Sequence, residues 1–262
     1  MNISLAGKRA LVCGSSQGIG KAVALELAHL GATVILVARN SDALQKVKQE
    51  LNTGAGQHHD FIAVDFNHVE SLQEKIRHFF SVNPPVHILV NNTGGPPAGS
   101  AIDAKKDEYV QAFSNHLICN HILTQAVVPG MKAEKYGRII NIISTSIKQP
   151  IKGLGVSNTV RGAVAQWAKT LAEELGRFGI TVNNVLPGAT KTTRLQAIIE
   201  NRAKQSGSSV AEIEKKMLAE IPAGRFAEPA EIALAVAFLA SPAAAYINGI
   251  NLPVDGGRTV CL

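Results

Sequence analysis

The sequence predicts an α/β protein, a single domain with a doubly wound parallel sheet of about seven strands and helices on both faces. Three observations carry that prediction. Short continuous runs of Val, Ile and Leu alternate with helix-length segments along almost the whole chain, the pattern of parallel strands buried on both faces. Crossovers between parallel strands are right-handed, which winds such a sheet outward in both directions. No internal repeat, low-complexity stretch or linker interrupts the 262 residues, so one domain, 1–262, accounts for them.

The elements follow in order. "RALVCG" is a short apolar run closed by glycine, and "IGKAVALELAHLG" follows it with helical spacing and a glycine stop. "ATVILVAR" reads as a second buried strand. "SDALQKVKQELN" opens on Ser41 and Asp42, residue types that cap helix N-termini. "DFIAVDF" and "VHILVNN" are a third and fourth strand, with the helix-like "VESLQEKIRHFF" between them. Two longer helical stretches frame a fifth strand, "GRIINIIS"; "ITVNNVLPG" is a sixth and "GINLPVDGG" a seventh. One insertion stands out. Residues 191–223 are polar and helix-rich, and their place beyond a strand's carboxyl end predicts a substrate lid, although plain surface would read the same way.

Composition narrows the function classes. Apolar residues make up 46% of the chain and charged residues 18%, as in a compact globular protein. The net charge is +6, yet Lys and Arg are interspersed with Asp and Glu and form no run. That argues against a nucleic-acid partner and for phosphate groups on a small cofactor. Cys13, Cys119 and Cys261 fit neither a metal-ligand spacing nor a disulfide framework, and Cys13 and Cys119 read as small core residues. No metal site is expected, and a reducing cytoplasm is the expected location. The N-terminal segment lacks the apolar run of a secretory signal. No stretch approaches the roughly 18 apolar residues that cross a bilayer, so no membrane role is expected.

"VCGSSQGIGKAV" places Gly14, Gly18 and Gly20 between the first strand and the first helix. Glycines there permit a tight turn, and free N–H groups at the helix start face a pyrophosphate. The end of the second strand says which dinucleotide. An acidic residue would accept a hydrogen bond from the ribose 2′-OH of NAD, but this chain has Ala38 and then Arg39. A guanidinium suits a 2′-phosphate, so NADP(H) is the expected cofactor. Asp65, at the end of the third strand, can meet the adenine edge. Asn91 with Thr93 and Gly94, at the end of the fourth, lets backbone approach the ribose. All these loops lie at strand carboxyl ends, where open α/β sheets bind ligands.

The motifs "GSSQGIG", "NNTGG", "GRIINIIS", "LAEELGRFGITVNNVLPG" and "IPAGRFAEPAEIALAVAFLASPAAAYINGINLPVDGG" resemble those of the short-chain dehydrogenases/reductases over essentially the whole chain. The last of them is especially similar to bacterial 3-oxoacyl-[acyl-carrier-protein] reductases. The resemblance implies a Rossmann-like fold, a homodimer or homotetramer, and a small-molecule carbonyl or alcohol substrate. It also extends the cofactor site to Ser15, Ser16, Gln17, Ile19, Phe66, Arg161, Pro187, Gly188, Thr190 and Thr192. The family's chemistry rests on Asn, Ser, Tyr and Lys. The serine falls on Ser144. The tyrosine belongs thirteen positions later, at Ser157, and the lysine four further on, at Arg161. "TLAEEL" fixes the register downstream, and the chain's tyrosines, Tyr109, Tyr136 and Tyr246, lie elsewhere. The family asparagine falls on His116, with Asn115 beside it.

Each replacement has a chemical consequence. A serine hydroxyl is too weak an acid to replace the tyrosine, but it can hydrogen-bond or relay. Arg161 stays protonated, so it cannot exchange protons, yet it can hold ribose hydroxyls or stabilise a developing oxyanion. The spacing of four keeps Ser157 and Arg161 on one helix face. His116 is the remaining candidate acid, because imidazole titrates near neutrality; a structural histidine is the plainer alternative. Lys148 and Lys152 could reach the pocket mouth or simply solvate it. A positioned general acid contributes about 10²–10⁴-fold in rate, so its loss predicts a slow or specialised enzyme rather than none. Two readings follow: an NADP(H)-dependent carbonyl reductase working through Ser144, Ser157, Arg161 and His116, or a non-catalytic NADP(H) sensor.

Overall fold

A computed structural model describes residues 1–261 of the chain. In chain order its first half holds β1 (Arg9–Cys13), α1 (Gly18–His29), β2 (Thr33–Ala38), α2 (Ser41–Glu50), β3 (Asp60–Ala63), α3 (Val69–Val82) and β4 (Ile88–Asn91). Then come α4 (Lys106–Phe113), a π-helical turn (Ser114–Ile118), α5 (Cys119–Ala133), β5 (Gly137–Ile142), α6 (Gly155–Gly176) and β6 (Ile180–Pro187). The chain ends with α7 (Thr193–Ser206), α8 (Val210–Ala219), α9 (Pro229–Ala240) and β7 (Asn251–Val254). The strands form one parallel sheet in the order β3-β2-β1-β4-β5-β6-β7. All seven strands lie where the apolar runs predict them.

Alternation along the strands builds two cores. In β1, Ala10 and Val12 face one side, packing with Val23 and Leu27 of α1 and Val236 of α9. Leu11 and Cys13 face the other, with Leu72 of α3, Leu123 of α5 and Ala168 of α6. Both layers are fully buried, which is why the strands read as unbroken apolar runs. Cys13 and Cys119 are buried and unpaired, as core residues should be. The cap of α2 differs from expectation. Asn40, one residue earlier than expected, supplies it by accepting a hydrogen bond from the Ala43 N–H at 2.9 Å, and Ser41 is already helical.

Four asparagines among the polar exceptions in the sheet form a ladder. Asn91 donates to Asn141 at 2.9 Å, Asn141 to Asn184 at 2.9 Å, and Asn184 to Asn251 at 2.8 Å, crossing β4 to β7 in register. Helices α7 and α8 stand apart from both cores. They bury their own cluster of Leu195, Ile199, Ile213 and Met217 over the carboxyl end of β6. No helix among the described residues is long and apolar enough to cross a membrane.

Candidate active site

Strands β1 and β4 are neighbours although the chain winds outward from them in opposite directions, so their carboxyl ends open into a crevice. A cavity of about 660 Å³ lies there and runs from the glycine turn to α7.

At the glycine turn the residues divide. Gly14 has φ +60°, and a side chain there would sit 2.6 Å from the Asn92 carbonyl oxygen, so only glycine fits. The N-cap of α1, Gln17, makes no side-chain cap, and the first turn has no acid. Its leading N–H groups are therefore left for an anion. Ser16, Gln17, Gly18 and Ile19 line the cavity beside them. Ser15 does not: it is buried, and its hydroxyl accepts from the Val37 N–H at 3.0 Å, fastening the turn to β2. Gly20 is also buried behind the turn, where a Cβ would run into the Gly14 carbonyl. Both are supports for the cradle and not contacts within it.

Arg39 stands exposed at the end of β2, lines the cavity, and takes part in no ion pair among the described residues. Asp65 and Phe66 line the same end, as do Thr93 and Gly94 after β4. Asn91 lies outside the cavity lining: it is buried and its side chain belongs to the asparagine ladder of the sheet. Asn92 takes the place at the cavity, donating to the Cys13 and Gly14 carbonyls at 3.2 and 3.4 Å and tying the β4 loop to the glycine turn.

The other end is built by β5, α6 and the loop after β4. Gly99 donates to the Gly153 carbonyl at 2.8 Å, and Gly155 donates to the Gly99 carbonyl at 3.0 Å. A Cβ on Gly155 would collide with the backbone of Ala101, so this glycine lets the loop dock on the start of α6. That docking positions Ser157 and Arg161, one turn apart. Arg161 donates from Nε to Ser157 Oγ at 3.2 Å and from Nη1 to the Ile142 and Ile143 carbonyls at 3.2 and 2.9 Å. Ser144, next along β5's exit, faces the same cavity. Burial and the neighbouring Arg194 push the Arg161 guanidinium down to about 10, which leaves it cationic at neutral pH. Pro187, Gly188, Thr190 and Thr192 close the wall below α7.

His116 requires a correction. It is 4% exposed, sits on the π-helical turn and lies behind Thr93, whose hydroxyl is 2.6 Å from its Nδ1. Burial, with the Arg161 charge second, pushes its pKa down to about 3. It is neutral across the working range and does not titrate near neutrality. It is not part of the cavity lining and meets it through its neighbours Thr93 and Gly94. Lys148 and Lys152 stay outside the lining, and among the described residues no tyrosine and no lysine lines the cavity.

Two contributors escape sequence reasoning. Arg194, at the start of α7, donates from Nη2 to the Pro96 carbonyl at 2.6 Å, and Arg202, about two turns further along α7, also lines the cavity. Their charges look like ordinary surface residues of a polar insertion. Only the fold of α7 over the crevice turns them inward.

Comparison with known proteins agrees with this fold. A family profile described as Enoyl-(Acyl carrier protein) reductase matches residues 14–259. The 3-oxoacyl-[acyl-carrier-protein] reductase FabG of Vibrio cholerae is 35% identical over 256 residues, covering 97% of this chain and 98% of that protein. The Escherichia coli protein of the same name is 36% identical over 251 residues, 96% and 97% of the two chains. Among solved structures, L-sorbose reductase from Gluconobacter frateurii, complexed with NADPH and L-sorbose, superposes with TM-score 0.92 at 31% identity over all of both chains. Actinorhodin polyketide ketoreductase with NADPH gives 0.89 at 31% identity over 97% of each. The glycine turn, the parallel sheet and these matches together place the chain in the short-chain dehydrogenase/reductase family.

Proposed function

We propose that the chain is an NADP(H)-dependent oxidoreductase that reduces the carbonyl of a small molecule, a 3-oxoacyl thioester-like compound or another ketone. One observation carries the reading: Ser144, Ser157 and Arg161 converge on the cavity that begins at the glycine turn. The relatives support the reaction class, since they include 3-oxoacyl and sorbose reductases.

The residues fit the cofactor. The uncapped start of α1 suits the pyrophosphate, Arg39 the 2′-phosphate, and the space beside Gly14 the close approach of a ligand to backbone. When bound, NADPH supplies the hydride. The chain's own residues hold the carbonyl. Ser144 and Ser157 donate hydrogen bonds to its oxygen, and Arg161, fixed by three acceptors, stabilises the charge that develops there. Ser157 and Arg161 stand in for the family's tyrosine and lysine. With His116 neutral, the proton comes from water in the cavity, and Thr93 with His116 orients it. Helices α7 and α8 form the lid.

The replaced tyrosine favours a second reading, a non-catalytic NADP(H) sensor. NADPH consumption against 3-oxoacyl thioesters, ketones and quinones separates the two. Turnover above background supports the reductase. Tight NADPH binding with no turnover on any of them supports the sensor.

A further inference from the structure

The charge of the cavity is out of balance. Five arginines line it, Arg39, Arg161, Arg194, Arg202 and Arg258, against one acid, Asp65. Arg39 and the α1 N-terminus stand over β1 and β2, on the adenosine side of the crevice. Arg258 pairs with Glu220 at 2.6 Å. Arg161 and Arg194 are different. They sit on the far side, over β4 to β6, and neither is within ion-pair distance of a carboxylate among the described residues. Their Nη2 atoms both turn to Gly95: a Cβ built there would lie 3.2 Å from that of Arg194 and 3.6 Å from that of Arg161. Two like charges brought together beside Ser144 repel one another unless an anion lies between or above them. Planar guanidiniums bind carboxylate or phosphate oxygens in pairs.

We propose that Arg161 and Arg194 bind the anionic group of the substrate, so that the carbonyl compound reduced here carries its own carboxylate or phosphate. This rests on the reductase reading and narrows it: within the ketones, neutral ones are poor substrates. Arg194 is contributed by the lid, so binding of the anion also closes α7 over the loop at Pro96, where Arg194 already donates. Arg161 then divides its donors: Nε and Nη1 stay with Ser157 and the Ile142 and Ile143 carbonyls, and the two N–H groups of Nη2 serve the anion and the developing oxyanion.

Binding and turnover test this separately. Acetoacetate and methyl acetoacetate, and dihydroxyacetone phosphate and dihydroxyacetone, are titrated by calorimetry into protein loaded with NADP+, where reduction cannot occur. The expected result is binding of at least one anion about tenfold or more tighter than its neutral counterpart, with the carboxylate and phosphate arms telling which group is read. In Arg194→Met the anion loses that advantage, while the neutral compound and NADPH bind as before. Three results overturn the proposal: no binding of either anion, equal binding of anion and neutral partner, or an Arg194→Met loss shared by the neutral compound or by NADPH. The last would mark Arg194 as a latch or a cofactor contact. Preferential anion binding with no NADPH oxidation on any of the four compounds would leave the arginine pair standing and sink the reductase reading instead.

Discussion

Arg161 carries the most weight of any single side chain in the site. Its Nε and Nη1 are committed to Ser157 and to the carbonyls of Ile142 and Ile143 at the end of β5, which removes the freedom a long side chain would otherwise lose on reaction. Arg161→Met is expected to lower kcat by about 10²–10³, the cost of losing one preorganised oxyanion donor, as measured by steady-state NADPH oxidation. Arg161→Lys should recover little, because an ammonium cannot span Ser157 and both carbonyls at once. At the other end, Arg39→Ala should weaken NADPH binding about tenfold or more and leave NADH nearly unchanged, a ratio readable by fluorescence titration.

His116 makes a residue-scale prediction about pH. Its folded pKa of about 3 lies below the ordinary imidazole value, so the folded protein binds its proton later than the unfolded chain does. Stability is therefore full above about pH 6.5 and falls as pH drops from there toward 3, by up to about 1.4 kcal/mol per pH unit from this group. His59 and His87, both lowered chiefly by burial, act in the same direction. His116→Asn should flatten part of that slope in urea titrations between pH 6.5 and 4. The kcat profile of the native protein should show no inflection near 6.5. An inflection there that His116→Asn removes would restore the histidine as the acid.

At the scale of elements, the asparagine ladder holds the carboxyl half of the sheet in register beneath the site. Asn141 is its middle member, donating to one neighbour and accepting from the other. Asn141→Ala strands a buried donor on Asn91 and a buried acceptor on Asn184, so a loss of about 3 kcal/mol is expected in denaturant unfolding. Nothing in "GRIINIIS" marks its asparagine as a ladder member, because pairing across strands depends on register that no single strand carries. The same limit explains Asn91: the sequence points to the right loop, and the pleat turns Asn91 into the sheet and leaves Asn92 at the cavity. The central strands and α1 were legible because the strands' burial is nearly continuous and the glycines have one use; the edge strands β3 and β7, only partly buried, were legible from their place in the alternation. The α2 cap moved by one residue because Asn40, Ser41 and Asp42 are all good caps, and only the backbone chooses among them.

For the whole molecule, fold and cofactor crevice were readable from the alternation of strands and helices and from the glycine turn. The substrate end was readable only in part. Ser144, Ser157 and Arg161 could be placed by spacing, since they sit on one strand exit and one helix face. Arg194 could not, since its role comes from α7 folding back 98 residues onto Pro96. The placement of His116 behind Thr93 is likewise tertiary, and it turned a candidate acid into a neutral support. Basic residues that are dispersed along the chain meet in the fold, where five arginines line one cavity.

Reduction in this crevice would proceed without a tyrosine. The most direct measurement is deuterium transfer from [4-²H]NADPH to the carbonyl carbon of an accepted substrate, followed by mass spectrometry of the product alcohol. Label is expected in the product from the native protein, stereospecific for one face of the nicotinamide, and about 10²-fold less from Arg161→Met under the same conditions. Tight NADPH binding with no label in any product, from an anionic or a neutral carbonyl compound, would contradict it.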